Sequence, residues 1–268
     1  SSSSSSSISW EELMRLGRAH PDAVQLGQGY PDYFGSRVAR EAAAEAILTE
    51  PLLNQYSPVS GLPRLRQACL GYYERVVGWE IDEQNLSVTT SGTEALYAAI
   101  HATVKPGDDV IIFEPCFPWY TTFVEMCGAR VIPVPLSPPT HAPDIEALRK
   151  AVTPSCSAMI INSPHNPTGH VYDLEEIEGL ASVAREHDLV VISDEVYENV
   201  VWGGCDGGSR SPEHYRIAQQ PEMEDRVVTI GSASKLFSLT GWRLGWAIGP
   251  SSVIKKIDEL HSVTTYCA

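Results

Sequence analysis

The sequence has few basic residues for its length, and this shortage excludes one broad class of partner. Lysine and arginine together number 19 against 34 acidic residues, which gives a formal net charge of -15. A surface with this excess of negative charge repels the phosphate backbone of nucleic acids and the headgroups of anionic lipids. We therefore expect no nucleic acid and no membrane surface among the partners.

Long apolar runs and metal-binding patterns are also missing. No apolar stretch approaches the roughly 20 residues that a transmembrane helix needs. The six cysteines are scattered, with no C-x-x-C pair and no histidine/cysteine cluster at metal-ligand spacing. We expect no metal site and a set of reduced thiols, which is typical of the cytoplasm or of an organelle stroma or matrix.

The length of the chain suits one large domain with additions at its ends. Its 268 residues, 43% of them hydrophobic, can bury a sizeable core. We divide the sequence into a disordered serine tract (1–7), an N-terminal arm with part of a small domain (8–60), a large domain (61–250) and the start of a connecting helix (251–268). We expect further chain at both ends, including the rest of the small domain.

From about residue 86, short apolar segments alternate with amphipathic ones. The apolar segments predict strands at 86–90, 110–113, 129–134, 158–162, 189–193, 227–230 and 244–248. Helical periodicity predicts helices at 37–48, 61–79, 94–104, 144–152, 174–187 and 253–261, and the glycine-rich tract at 203–208 predicts a surface loop. Strands that are apolar on both faces indicate a three-layer αβα domain around a mostly parallel seven-stranded sheet.

Four polar segments each follow a predicted strand, so a parallel sheet would bring them to one edge. The first, Ser91-Gly92-Thr93-Glu94, places hydroxyls and amide donors at a helix N-terminus and suits a phosphate. An ordinary N-cap has the same pattern. The second, from Asn162 to Gly169, holds asparagine side chains on a turn fixed by two prolines, where they can hydrogen-bond a ligand oxygen.

The third and fourth segments contribute opposite charges. Asp194 ends the most hydrophobic strand, and a buried carboxylate there requires a partner, either a protonated ring nitrogen or a core arginine. Lys235 lies in Ser232-Ala233-Ser234-Lys235, followed by Gly241-Trp242-Arg243. A desolvated lysine beside another cation is a nucleophilic amine, whereas a single lysine is more often a solvated surface charge. Together the four segments supply what pyridoxal phosphate requires.

At this point the sequence resembles the fold-type-I aminotransferases, above all the kynurenine, glutamine and aromatic aminotransferase group. The segments that carry the resemblance occur in family order. They are 26–32 (LGQGYPD), 54–56 (NQY), 91–93 (SGT), 166–169 (NPTG), 194–197 (DEVY) and the stretch from Ser-x-x-Lys at 232–235 to GWRLG at 241–245. The resemblance implies the fold described above, pyridoxal phosphate as cofactor, and amino-group transfer from an L-amino acid to a 2-oxo acid.

The resemblance also implies a role for each matching residue around the reactive centre. Lys235 would carry the cofactor as a Schiff base and then act as general base at the substrate α-carbon. Asp194 would hold the protonated ring nitrogen. Tyr197 and Asn166 would hydrogen-bond the ring hydroxyl.

Further residues are implied in binding the rest of the cofactor and the substrate. The phosphate would be bound by Gly92, Thr93, Ser232 and Arg243. Phe117 would stack on the ring, although a core aromatic would look the same. Tyr56 would reach the phosphate of a neighbouring subunit, which implies a homodimer. Gly29, Asn166 and Trp10 would line the substrate pocket, while the arginine that grips the substrate carboxylate in the family would lie in a segment after residue 268.

Several alternatives use the same pattern. A β-lyase acting on cysteine conjugates, or an enzyme similar to aminocyclopropane-carboxylate synthase, would need the same cofactor-binding residues, and product analysis separates them. A truncated relative without catalysis is a third possibility. The Ser232-x-x-Lys235 pattern also occurs in serine acyl-enzymes, but the K-T-G and S-D-N motifs of that class are missing. A Rossmann dehydrogenase is disfavoured because Gly27-x-Gly29 leads into Tyr-Pro-Asp instead of a helix.

Overall fold

The sheet that organises the chain has seven strands, as the sequence predicted. A computed structural model describes residues 10–24, 26–27, 29–31, 33–78, 80–201 and 213–268, and for Trp10 the backbone only. The strands are β1 (Leu86–Thr89), β2 (Asp109–Glu114), β3 (Arg130–Pro135), β4 (Cys156–Asn162), β5 (Val190–Asp194), β6 (Val227–Ser232) and β7 (Gly245–Ile248). The predicted serine tract at 1–7 and the loop at 203–208 lie outside the described residues.

The strand order in space is β1-β7-β6-β5-β4-β2-β3. All neighbouring pairs from β6 to β3 are parallel, whereas β7 runs antiparallel to both β1 and β6. Two antiparallel steps restore the direction, so β1 points the same way as β6. The carboxyl ends of β1, β4, β5 and β6 therefore lie along one edge, together with the amino end of β7.

The contacts divide the chain into Ser1–Phe34 and Gly35–Ala268. The first unit contains α1 (Trp10–Ala19), a helix that the sequence analysis did not predict. The helices of the second unit are α2 (Arg37–Thr49), α3 (Pro63–Val77), α4 (Gly92–Thr103), α5 (Trp119–Met126), α6 (Ile145–Ala151), α7 (Leu174–Glu186), α8 (Ala233–Leu236) and α9 (Ser251–Thr264). The described part of this unit also has 3-10 turns at Pro51–Asn54, Glu83–Asn85, Ile217–Gln219 and Thr240–Trp242.

Two hydrophobic clusters cover the two faces of the sheet. Alternation along a strand sends neighbouring side chains to opposite faces, so Ile111 and Met159 belong to one cluster while Ile112 and Ile160 belong to the other. Helices α3, α6 and α7 pack on the first face, and α4, α5 and α9 on the second. The three-layer αβα architecture is thereby confirmed.

The described residues contain neither a membrane-spanning helix nor a cluster of metal ligands. No helix there is both long and apolar enough to cross a bilayer. The same residues contain no group of three or more histidine, cysteine, aspartate or glutamate side chains placed to hold a metal ion.

Candidate active site

The structure brings the four polar segments together at the edge that the topology defines. Asn162 and Asp194 are register partners at the ends of β4 and β5. Thr89, which ends β1, and Ser232, which ends β6, both pair with Gly245 at the start of β7. Polar groups from residues far apart in sequence therefore line one rim of the sheet.

The turn before α4 is strained and tightly fitted. Ser91 has a φ of 87°, which is rare for a residue with a side chain, and its hydroxyl caps α4 by accepting from the amide of Glu94. A Cβ on Gly245 would lie 2.2 Å from the Gly92 nitrogen, so only glycine allows β7 to approach this turn. A Cβ on Gly92 would lie 3.3 Å from the Ser232 Cβ. The first turn of α4 and the start of α8 thus share one small space.

Asp194 is buried at the end of β5 and is held by two donors. The Tyr120 hydroxyl donates to Oδ2 at 2.7 Å, and the Val196 amide donates to Oδ1 at 3.3 Å. Burial raises the pKa of Asp194 to about 6, although both hydrogen bonds act in the opposite direction. Both donors to the Asp194 carboxylate are neutral, so its negative charge is not compensated by these contacts.

The core arginine that offered the alternative explanation for Asp194 binds elsewhere. Arg216 is buried and donates to the carboxylates of Glu195 and Glu198. His214 also contacts Glu195, at 3.0 Å. This buried network fixes the residues on either side of Tyr197 and leaves Asp194 outside its charge pairing.

Lys235 lies on the short helix α8, one turn beyond the end of β6. Its Nζ is 5.6 Å from the centroid of the Tyr197 ring. Burial first, and the charge of Arg243 second, lower the pKa of Lys235 below its usual value. The lysine is thus half-buried at the rim with a larger share of neutral, nucleophilic amine than a surface lysine has.

Asn162 connects the proline-fixed turn to Asp194. Its side-chain amide donates to the Asp194 carbonyl at 2.8 Å, and its Oδ1 accepts from the Asn166 amide at 2.6 Å. Asn166 is half-buried as a result, at the same rim. Tyr197 follows on the turn after β5, and burial raises its pKa, with the charge of Asp194 adding to the effect.

The other predicted phosphate ligands differ in the hydrogen bonds that they make within the protein. The Ser232 hydroxyl donates to the Leu244 carbonyl at 3.1 Å and accepts from the Ser234 amide, so it caps α8. Arg243 is exposed, has a φ of 53°, and donates to the Thr240 carbonyl. Thr93 is half-buried in the first turn of α4.

The remaining predicted residues are Tyr56, Trp10 and Gly29. Tyr56 is 84% exposed and packs edge-on against Tyr266, with ring centroids 5.2 Å apart. Trp10 begins α1 and Gly29 lies in the chain after it, both in the separate unit 1–34. Their roles toward substrate stay predictions.

Tyr120 is a site residue that the sequence analysis missed. It lies on α5, which was not predicted, and its ring contacts Phe117 edge-on with centroids 5.6 Å apart. No local pattern pointed to Tyr120, because Phe117 lies before α5 and the aromatic and β-branched composition of α5 does not predict a helix. The ring contact connects Phe117 to Asp194 through Tyr120.

A Tyr120→Phe variant tests the bond to Asp194. We expect the free energy of unfolding to fall by about 1.5–3 kcal/mol at pH 8, because an ionised buried carboxylate loses a donor. The loss should shrink at pH 5, since the folded-state pKa of Asp194 is about 6 and the carboxyl is then mostly protonated. Urea unfolding at the two pH values measures the difference.

Tyr172→Phe is the matched control for this experiment. Tyr172 is as fully buried as Tyr120, but its hydroxyl has no hydrogen-bond partner among the described residues. Removing it should therefore leave the stability unchanged or higher at both pH values. A Tyr120→Phe loss that is equal at pH 5 and pH 8 would contradict a charge-assisted bond.

Comparison with known proteins identifies the family. The family model described as aminotransferase class I and II matches residues 21–268. Human kynurenine–oxoglutarate transaminase 1 is 37% identical over 269 residues, which cover 96% of this chain and 62% of the relative. A probable N-succinyldiaminopimelate aminotransferase of Mycobacterium tuberculosis is 41% identical over 247 residues, or 91% of this chain and 60% of the relative.

Solved structures agree with these matches. The N-succinyldiaminopimelate aminotransferase of Mycobacterium tuberculosis superposes with a TM-score of 0.90 at 39% identity, covering 98% of this chain and 67% of that one. An aspartate aminotransferase of Thermus thermophilus gives a TM-score of 0.86 at 34% identity, over 96% and 64%. This chain spans about three fifths of the length of the curated relatives it matches. The chain belongs to the aminotransferase class I and II family.

Proposed function

We propose that the chain forms the pyridoxal-phosphate-binding part of an enzyme that transfers an amino group from an L-amino acid to a 2-oxo acid. The observation that carries the proposal is the meeting of three unlike groups at one sheet edge. These are the buried carboxylate of Asp194, the half-buried amine of Lys235 and the strained turn at Ser91 and Gly92. Membership of the family supports the same reaction.

The residues at this edge fit the two ends of pyridoxal phosphate. The first-turn amides of α4, at Gly92 and Thr93, have no acceptor within the helix and would bind the phosphate, with Ser232 and Arg243 beside them. At the other end a protonated ring nitrogen would donate to Asp194. That bond would stabilise the ionised carboxylate, which burial alone disfavours.

Each remaining residue would orient the cofactor or move one proton. When bound, the cofactor supplies a protonated aromatic ring that withdraws charge from the substrate α-carbon. Lys235 Nζ would take the proton from that carbon and hold it, for which its lowered pKa is favourable. Tyr197 and Asn166 would donate to the ring hydroxyl oxygen, and Phe117 would cover one face of the ring.

The substrate class is an L-amino acid with a 2-oxo acid. Names of similar proteins define the panel to test first, namely kynurenine, N-succinyldiaminopimelate, aspartate and methionine as donors, with oxoglutarate as acceptor. Gly29, Asn166 and Trp10 are proposed to line the pocket. A cytoplasmic or organelle setting remains a proposal, supported by free thiols at the described cysteines 69, 116, 127, 156 and 267.

A homodimer is part of the same proposal. Helix α2 has no buried residue, and Val38, Ile47 and Leu48 on it are 62–82% exposed. Tyr56 is exposed nearby in sequence, which supports the prediction that it contacts the phosphate of a second copy. A second subunit would cover these apolar side chains.

Borohydride reduction of the chain after incubation with pyridoxal phosphate tests the proposal. We expect peptide mass spectrometry to find the cofactor attached to Lys235, while the exposed Lys255 and Lys256 serve as internal controls and stay unmodified. Sedimentation of the same sample reports whether it is dimeric. Labelling spread over the exposed lysines, or none in a folded sample, would contradict the assignment.

A further inference from the structure

Helix α9 is joined to the proposed phosphate turn by a buried polar contact. Glu94, in the first turn of α4, lies against His261 of α9, with 2.9 Å between Oε1 and Nδ1. Thr264 and Thr265 at the end of α9 donate to the same oxygen at 3.0 and 2.9 Å. Three residues from one end of α9 therefore converge on a single carboxylate.

The second oxygen of Glu94 reaches back across the strained residue. Oε2 accepts from the Thr90 amide at 2.6 Å, so the side chain spans Ser91, whose φ is 87°. Thr89 adds a bond from its hydroxyl to the Ser91 carbonyl. A non-glycine residue keeps a positive φ only where surrounding contacts stabilise that conformation. The hydrogen bond from the Thr90 amide to Glu94 is one of these contacts.

In the contact between Glu94 and His261, the carboxylate is ionised and one ring nitrogen of the histidine has no hydrogen-bond partner among the described residues. Burial would raise the pKa of Glu94, but the bonds from His261, Thr90 and Thr265 lower it to about 2. His261 is fully buried and its Nε2 has no partner among the described residues. Asp258, one turn earlier on α9, is a further charge near His261, and it accepts from Ser87 and lies near Arg66. Burying a histidine with one unpaired ring nitrogen lowers the stability of the fold. This cost indicates that the contact between His261 and Glu94 has a role other than stabilising the fold.

We propose that Glu94 and His261 are positioning residues for the cofactor phosphate, because together they hold the strained turn whose amides bind it. The carboxylate is occupied by donors from α9 and from Thr90. The Glu94 carboxylate therefore does not accept from the amides of Gly92 and Thr93. These two amides remain able to donate to the phosphate. The inference rests on the proposed function, since it assigns these residues to its phosphate site.

The same helix pair provides a matched control at its other end. Lys256 of α9 donates to the Ala102 carbonyl at the last turn of α4, at 3.1 Å. This contact also connects α4 with α9 and complements the helix dipole, but it lies about 15 Å from the first turn, at 1.5 Å per residue. Lys256→Met removes the far contact and leaves the phosphate turn alone.

The test compares the affinities of pyridoxal phosphate and pyridoxal, which differ only in the phosphate. We expect His261→Leu to weaken binding of pyridoxal phosphate about tenfold, as loss of a hydrogen bond to a charged group implies, and to change pyridoxal binding less than about twofold. His261→Asn, which keeps a donor near Nδ1, should restore most of the affinity. Lys256→Met should change neither affinity.

A second variant covers the case in which His261→Leu fails to fold. Thr265 is exposed, so the isosteric Thr265→Val retains the fold while it removes one donor to Glu94. It should weaken pyridoxal phosphate about threefold and leave pyridoxal unchanged. Equal weakening of both ligands, or of neither, in His261→Leu and Thr265→Val would overturn the inference alone. A wild-type chain that binds neither ligand would overturn the proposed function and the inference with it.

Discussion

Under the proposed function, a Lys235→Ala variant should transaminate at least about 10⁴-fold more slowly than the wild type, because it would lose both the proposed nucleophile and the proposed general base. The protein should still fold, since Lys235 is a half-buried cation whose lowered pKa shows that its charged form is disfavoured there. Pyridoxal phosphate should still bind without a covalent bond, through the proposed phosphate and ring contacts. Steady-state rates with the preferred amino donor, and dialysis of bound cofactor, measure the two effects.

Two variants separate the amine of Lys235 from its charge and from lysine in general. Lys235→Arg keeps a positive charge beside Tyr197 but has no nucleophilic amine at neutral pH, so it should be as inactive as the alanine variant. Lys255→Ala removes an exposed lysine on α9 and should leave the rate unchanged. A Lys235→Arg enzyme with more than about a hundredth of the wild-type rate would mean that charge, not the amine, carries the chemistry.

The fold was predictable because burial on two sheet faces leaves a simple pattern in the sequence. Runs such as 189–193 are apolar throughout, and all seven predicted strands are present. The pattern reports burial and not direction, so it did not show that β7 is antiparallel. Helix α5 (Trp119–Met126) was missed because an eight-residue segment rich in aromatic and β-branched residues has the composition of a strand.

The sequence predicted those parts of the candidate site that lie at the ends of strands. Asp194 ends β5 and Lys235 lies one turn after β6, so topology alone places them at one rim. The contacts that tune them were not predictable, because they join residues with no local pattern between them. Tyr120 meets Asp194 across 74 positions, and His261 meets Glu94 across 167.

Asp194→Asn should have opposite effects on stability and on activity. In the cofactor-free chain the folded-state pKa of Asp194, about 6, exceeds the usual value of about 3.9 in unfolded chains. The carboxyl therefore favours folding only while it is protonated, and this contribution is lost as the pH rises through 6. Asparagine carries no such cost, so at pH 8 the variant should be more stable by about 3 kcal/mol, with little difference at pH 4.

Activity should change in the other direction. An amide cannot hold the ring nitrogen in its protonated form, so the ring withdraws less charge from the substrate α-carbon. We expect a rate loss of about 10²–10³-fold, the range typical of removing one preorganised electrostatic contact. Single-turnover measurements with the amino donor should show the loss in the chemical step.

The cofactor should reduce the stability advantage of the asparagine variant at pH 8. A protonated ring nitrogen compensates the buried charge of Asp194, so pyridoxal phosphate should stabilise the wild type more than the asparagine variant at pH 8. Thermal unfolding of both proteins, with and without saturating cofactor, measures the four values needed. If the variant gains as much from the cofactor as the wild type does, Asp194 does not pair with the ring nitrogen. If the variant is instead the less stable protein without cofactor at pH 8, the carboxylate already has a counter-charge within the protein.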